Sequence, residues 1–167
     1  WSVNLERDAE NTDYDRQKIA YTVSHNLNVV DQNGERHVIS TDGSDDITYG
    51  ESVHRNEFGI EKGTFWSNNG DKLAFYRMDQ SMVSTYPQVN ITPQADNTRC
   101  ARMVADKYPM AGEKSHKVTV GIYDLKTKKT IYLKAGDPTD RYFTNISWAP
   151  DDKSIYMIEL NRDQNHA

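Results

Sequence analysis

The chain has a single cysteine, Cys100. It can build neither an internal disulfide nor a cysteine-based metal site. Its apolar runs are short, and none approaches the roughly 20 residues that cross a bilayer as a helix. Charges of both signs are interspersed around a formal net charge of −5. No basic stripe is present to track a phosphate backbone, so nucleic acid is not an expected partner. Catalytic signatures are missing as well. There is no Gly-x-Ser-x-Gly elbow to expose a hydrolase serine. There is no phosphate loop, dinucleotide fingerprint or His-Glu-x-x-His zinc motif. The five histidines are scattered, and none stands at ligand spacing from another. Asp42-Gly43-Ser44-Asp45-Asp46 has the composition of a calcium loop without its spacing, and reads as a solvated turn. The residues therefore suggest no metal and no cofactor.

What is present is repetition. Phe65-Trp66-Ser67-Asn68-Asn69-Gly70-Asp71-Lys72-Leu73-Ala74-Phe75 returns as Ser147-Trp148-Ala149-Pro150-Asp151-Asp152-Lys153-Ser154-Ile155-Tyr156-Met157. Each copy is a strand ending in Trp, a polar turn and a second apolar strand, which is the pattern of a β-hairpin. A second pair, Asn28 to Ile39 and Gly121 to Tyr132, places an Asp at the equivalent point before each turn. Two hairpins make one four-stranded sheet, and sheets repeated in this way are the blades of a propeller. The predicted fold is all-β: a fragment of a β-propeller with about two to three four-stranded antiparallel blades.

A blade takes roughly 40 to 45 residues, and closed propellers need about four to eight. The chain is thus expected to be a piece of a longer protein. Residues 1–17 are acidic and aperiodic and read as a linker or loop. Residues 18–60 read as part of a blade and a connection, with Ile47 to Ile60 joining one blade to the next. Residues 61–135 form a blade interrupted by an irregular insertion at 79–117, with a short helix expected near Thr98 to Lys107. Residues 136–167 open the next blade. Long insertions on a rigid scaffold are often functional.

His54-Arg55-Asn56-Glu57-Phe58-Gly59-Ile60 resists a structural reading, because a charged cluster precedes an aromatic with no strand alternation. Together with Gly63-Thr64-Phe65-Trp66-Ser67, Ala74 to Asp79, Tyr108-Pro109-Met110-Ala111-Gly112, Val118 to Asp124 and Asn161 to Asn165, it resembles the N-terminal propeller of the dipeptidyl peptidase IV family. Within that family, which belongs to the prolyl oligopeptidase clan, it is most like the bacterial prolyl tripeptidyl aminopeptidase branch. The similarity runs from about Lys18 to the end of the sequence.

The resemblance implies a propeller covering a C-terminal α/β-hydrolase domain whose Ser-Asp-His triad lies outside this sequence. The segment is then the non-catalytic half of a serine exopeptidase that removes N-terminal di- or tripeptides after proline, in the periplasm or outside the cell. It implies a peptide substrate with a free N-terminus, and a homodimer as a further partner. Glu57 is implied as the carboxylate that binds the substrate's ammonium, with Arg55 and Asn56 beside it. Two adjacent glutamates are usual in the dipeptidyl branch, whereas Asn56-Glu57 offers one, which favours tripeptide release. The insertion at 79–117 is expected to contact the hydrolase domain or a second subunit. The other reading is a propeller-type binding module with no enzyme attached.

Overall fold

The computed structural model describes residues 1–91 and 101–167. The first sheet runs in chain order through β1 (Glu10–Asp15), β2 (Lys18–Val23), β3 (Asn26–Val30) and β4 (Arg36–Val38). The second is built on β7 (Lys72–Asp79), with β10 (Lys117–Asp124) and then β11 (Lys129–Tyr132) on one side. On the other side of β7 lie two short strands, β5 (Ile47–Tyr49) and β6 (Thr64–Trp66). A third sheet has two strands, β12 (Arg141–Trp148) and β13 (Ile155–Asn161). All these pairings are antiparallel, and the repeated hairpins fall where the sequence puts them. Trp66 pairs with Leu73, and Trp148 occupies the same station opposite Ile155.

Three sequence expectations need correction. Part of the expected linker is a strand, since Glu10 to Asp15 forms the edge of the first sheet. Its residues are mostly exposed and a register shift interrupts it, so no alternation marks it in the sequence. Ile47 to Tyr49 is also not a connection; it pairs with β7 and belongs to the second sheet. The expected helix at 98–107 is a strand over its described part, β9 (Arg102–Lys107), while 98–100 lie outside the described residues. β9 pairs with β8 (Thr85–Asn90) as an exposed two-stranded arm within the insertion. A hairpin solvated on both faces needs no apolar periodicity, which is why none was legible.

The core follows from β7. Successive strand residues face opposite sides, and Leu73, Ala74, Phe75 and Tyr76 are all buried. Leu73 and Phe75 join Ala20, Leu27, Val29, Tyr49 and Tyr123 between the first and second sheets. Ala74 and Tyr76 join Val53, Ile60, Val118, Val120, Phe143 and Ile146 on the side of the third. Gly121 sits opposite Phe75, and a Cβ there would lie 2.4 Å from the ring. Only glycine leaves room for the tip of this ring on the neighbouring strand.

The seams repeat. The Trp66 indole N–H donates to the Asp13 carbonyl in β1 at 3.3 Å, and that of Trp148 to the Phe65 carbonyl in β6 at 2.9 Å. Lys18 and Lys72, each the first residue of its strand, lie 5.9 Å over these two rings. Each tryptophan thus ties its own sheet to the preceding one. The Asp that recurs in the other hairpin repeat has a local role: Asp31 accepts the Asn33 and Glu35 amides, and Asp124 accepts that of Thr127. These are turn-closing bonds of the kind aspartate favours.

Candidate functional site

The site hangs from β7 by a loop. Gly50 donates its amide to the Tyr76 carbonyl at 2.9 Å, and Tyr76 donates its own to the Gly63 carbonyl at 2.9 Å. The chain therefore leaves the sheet and returns to it at one residue. The two limbs touch at this neck, where a Cβ on Gly63 would stand 2.0 Å from the Glu51 carbonyl oxygen.

Two tight turns fill the loop. The Asn56 amide bonds the Val53 carbonyl and the Ile60 amide bonds that of Glu57, both at 3.1 Å. His54, Arg55, Asn56 and Phe58 have φ of 52°, 55°, 61° and 58°, the left-handed region that glycine, asparagine and aspartate tolerate best. Glu57 alone is extended, with φ −73° and ψ 168°. Each strained residue costs about 1–3 kcal/mol, and such strain clusters at functional sites.

Buried contacts hold the loop in place. His54 and His116 are 3% and 6% exposed, and His54 Nδ1 lies 2.6 Å from His116 Nε2. Burial and the His116 ring push His54 down to about 3. Burial, with the charges of Arg162 and Arg55, pushes His116 down to about 4. Both rings are neutral at ordinary pH, so one donates the shared proton and the other accepts it. The Tyr142 ring packs at 4.8 Å from His54 and 5.0 Å from Phe58. Burial raises the Tyr142 phenol, and the charge of Glu57 acts in the same direction.

The three expected site residues meet different fates. Asn56 bonds within the loop, where its side-chain oxygen accepts from the Ser52 hydroxyl. Arg55 reaches the insertion, where Nη1 donates to Asp106 Oδ2 at 3.2 Å and to the Lys107 carbonyl at 3.3 Å. Its guanidinium also lies 4.8 Å over the Tyr108 ring. Glu57 is exposed, and no hydrogen bond or ion pair to its carboxylate is found among the described residues. With His54, Arg55, Tyr108, Pro109, Ser115, His116 and Tyr142 it lines a small cavity of about 100 Å³. A larger cleft of about 510 Å³ starts at Phe58 and runs along Ile60, Phe65, Tyr76 and Ile146. A solvated carboxylate beside aromatic walls can take up an ammonium group.

Two segments that are far apart in sequence, His54 to Ile60 and Tyr108-Pro109, meet in this cavity. Sequence reasoning missed His116 and Tyr142, because nothing local marks partners 62 or more residues away. A second cluster, Asp31, Glu35 and His37, brings its ligand-type atoms within 4.8 Å of one another. Its groups already have partners: turn amides for Asp31, the Tyr123 hydroxyl for His37, and Lys128 Nζ at 2.5 Å for Glu35.

Residues 11–167 match the family described as the dipeptidyl peptidase IV (DPP IV) N-terminal region. The chain belongs to this family. Fungal proteins named probable dipeptidyl-aminopeptidase B are similar to it. That of Pyrenophora tritici-repentis is 31% identical over 75% of this chain and 16% of its own length. That of Phaeosphaeria nodorum is 30% identical over 87% of this chain and 18% of its own. A crystal structure assigned as a dipeptidyl aminopeptidase IV from Bacteroides ovatus is 53% identical, with TM-score 0.81 over 96% of this chain. Porphyromonas gingivalis dipeptidyl peptidase 4 is 25% identical, with TM-score 0.76 over 89% of this chain. The chain spans 21% of each of those two structures, so it corresponds to about a fifth or less of its relatives. The β-propeller expected from the hairpin repeats is thereby established for this DPP IV N-terminal region. No helix among the described residues is long and apolar enough to cross a membrane.

Proposed function

We propose that this segment recognises the free N-terminus of a peptide for a serine exopeptidase, and that Glu57 is the carboxylate that does so. On this reading the propeller also gates access to a C-terminal α/β-hydrolase domain, which removes di- or tripeptides after proline. The observation that carries the reading is the free state of Glu57. The obvious neutraliser, Arg55, is two residues away and bonded elsewhere. A peptide ammonium leaving water for a closed cavity needs a fixed anion and charge-assisted hydrogen bonds. A rigid carboxylate also rejects acylated peptides, because it would then be left unpaired.

The relatives named above are dipeptidyl peptidases, whereas the single carboxylate of Asn56-Glu57 fits tripeptide release. A second acid from outside this segment would reconcile the two. The family resemblance supports a periplasmic or secreted setting. The exposed arm of β8 and β9 and the rest of the insertion supply a surface for the hydrolase domain or a second copy of the protein.

The test is Glu57→Gln in the full-length protein. On this reading the hydrolase domain closes the cavity over Glu57 and its bound ammonium, and removing one partner of an ion pair so buried costs about 3 to 5 kcal/mol. At ~1.4 kcal/mol per tenfold, kcat/KM should fall roughly a hundredfold or more for free-amine X-Pro or X-X-Pro reporters. Their N-acetylated forms should be unaffected. An unchanged value for the free amines would remove Glu57 from the site, and no turnover of any reporter by the wild type would favour the binding module.

A further inference from the structure

We propose that Asp106 is a positioning residue that keeps Arg55 off Glu57, so that the carboxylate stays available to a substrate ammonium. The inference rests on the reading of Glu57 given above and assigns a task to the insertion. Arg55 and Glu57 belong to the same pair of turns and line the same cavity of about 100 Å³. A guanidinium carries five donors and no acceptor, and its best partner is a carboxylate. Left to itself, Arg55 would settle on the free carboxylate beside it and compete with the substrate.

Three anchors from one stretch of the insertion prevent this. Asp106 Oδ2 takes Nη1, the Lys107 carbonyl takes it as well, and the Tyr108 ring lies beneath the guanidinium. Asp106 is itself held, since Gln88 of β8 donates to the same Oδ2 at 3.3 Å. Lys107 does not compete for it, because its ammonium is paired with Asp46 at 3.0 Å. The other arginine whose charge reaches this site is diverted in the same way. Arg162 donates to the Glu113 and Met110 carbonyls and pairs with Asp140. Arg55 and Arg162 are thus each tied to groups other than Glu57. The base of the arm is a charge-sorting device, and among the described residues Asp106 is the only carboxylate bonded to Arg55.

The experiment uses the full-length protein and free-amine X-Pro and X-X-Pro reporters, with the N-acetylated forms as controls. Exposed ion pairs shift equilibria by roughly two- to fivefold. Asp106→Asn should therefore raise KM for the free amines about three- to fivefold, with kcat and residual turnover of the acetylated forms unchanged. Adding Arg55→Gln to Asp106→Asn should bring KM back to that of Arg55→Gln alone, because the competing cation is gone. A loss that merely reflected a misplaced arm would not be rescued. An unchanged KM in Asp106→Asn overturns the proposal, as does a double variant as impaired as Asp106→Asn. Glu57→Gln run in parallel separates the two levels. If it is silent, the reading of Glu57 fails and this proposal falls with it. If it is severe while Asp106→Asn is silent, only the role of Asp106 fails.

Discussion

β7 and the loop that hangs from it obey opposite rules. In β7 local preference, alternation and burial agree: Leu73, Ala74, Phe75 and Tyr76 are extended, apolar and shielded on both faces. In the loop nearly every local preference is overridden. A histidine, an arginine and a phenylalanine adopt the left-handed backbone, and two histidines are buried against each other. The strand serves many contacts at once, so no single bond decides its shape. The loop is held by a few contacts of distant origin: the neck at Tyr76, the His54–His116 bond and the Arg55 anchors. Strain of this kind persists only where the surroundings over-determine it. The pairing places a solvated carboxylate on a rigid wall, which is what the proposed recognition of an ammonium needs.

The contrast is broken most severely from the side of the strand. Phe75 is fully buried and packs its ring near Tyr49 and Tyr132 and against Gly121. Phe75→Ala should cost about 3–5 kcal/mol, as large aromatic truncations in cores do. A denaturation midpoint measured on the full-length protein would read this. A change below about 1 kcal/mol would mean that the space behind β7 collapses freely and that the wall is not the rigid partner described.

From the side of the loop, pH is the sharper tool. His54 and His116 have folded-state values near 3 and 4, against about 6.5 for an unfolded histidine. Between those limits the unfolded chain binds more protons, so stability falls as pH falls. The contribution is complete above about pH 6.5 and is lost progressively toward pH 4 and below. The groups facing the pair are Arg55 and Arg162, whose charges oppose protonation, together with Glu57 and the phenols of Tyr108 and Tyr142. Linkage puts the loss between pH 7 and pH 5 on the order of 3 kcal/mol. Asp31, Asp79 and Asp124 are held below the usual carboxylate range by hydrogen bonds that outweigh their burial, so they add losses only at lower pH. Thermal unfolding at pH 7 and pH 5 should show the drop, and His116→Asn should reduce it by about half. An identical drop in the variant would assign the effect to other groups.

This division also decides what could be read in the sequence. The hairpins announced themselves because turn chemistry and apolar alternation are local, and because they occur twice. Trp66 and Trp148 were legible for the same reason. β1, β8 and β9 were not, since strands whose residues are mostly exposed leave no period behind. At the site, Glu57, Arg55 and Asn56 stood out only as a cluster without alternation, and it was the resemblance that gave them a role. Their division of labour depends on Asp106, Tyr108 and His116 arriving from elsewhere in the fold. No spacing rule carries that information, because contacts across 51 to 62 residues depend on the tertiary path.

The smallest expected effect probes the strain itself. Asn56 has φ 61° and ψ 19°, and its side chain takes a hydrogen bond from Ser52. Replacing it by glycine forfeits that bond, worth about 0.5–1.5 kcal/mol. Glycine at a left-handed position avoids the steric cost that an L side chain bears there, but it also frees the unfolded chain. The two contributions nearly cancel, so Asn56→Gly should change stability by less than about 1 kcal/mol. Asn56→Ala loses the same bond and keeps a Cβ in the left-handed region, at a cost of about 1–2 kcal/mol. The order Asn56, then Gly, then Ala in denaturation midpoints is the signature of a turn chosen for its backbone. Equal midpoints for Gly and Ala would mean that the left-handed conformation relaxes when the side chain is lost. The loop would then owe its shape to the Asn56–Ser52 bond rather than to the frame around it.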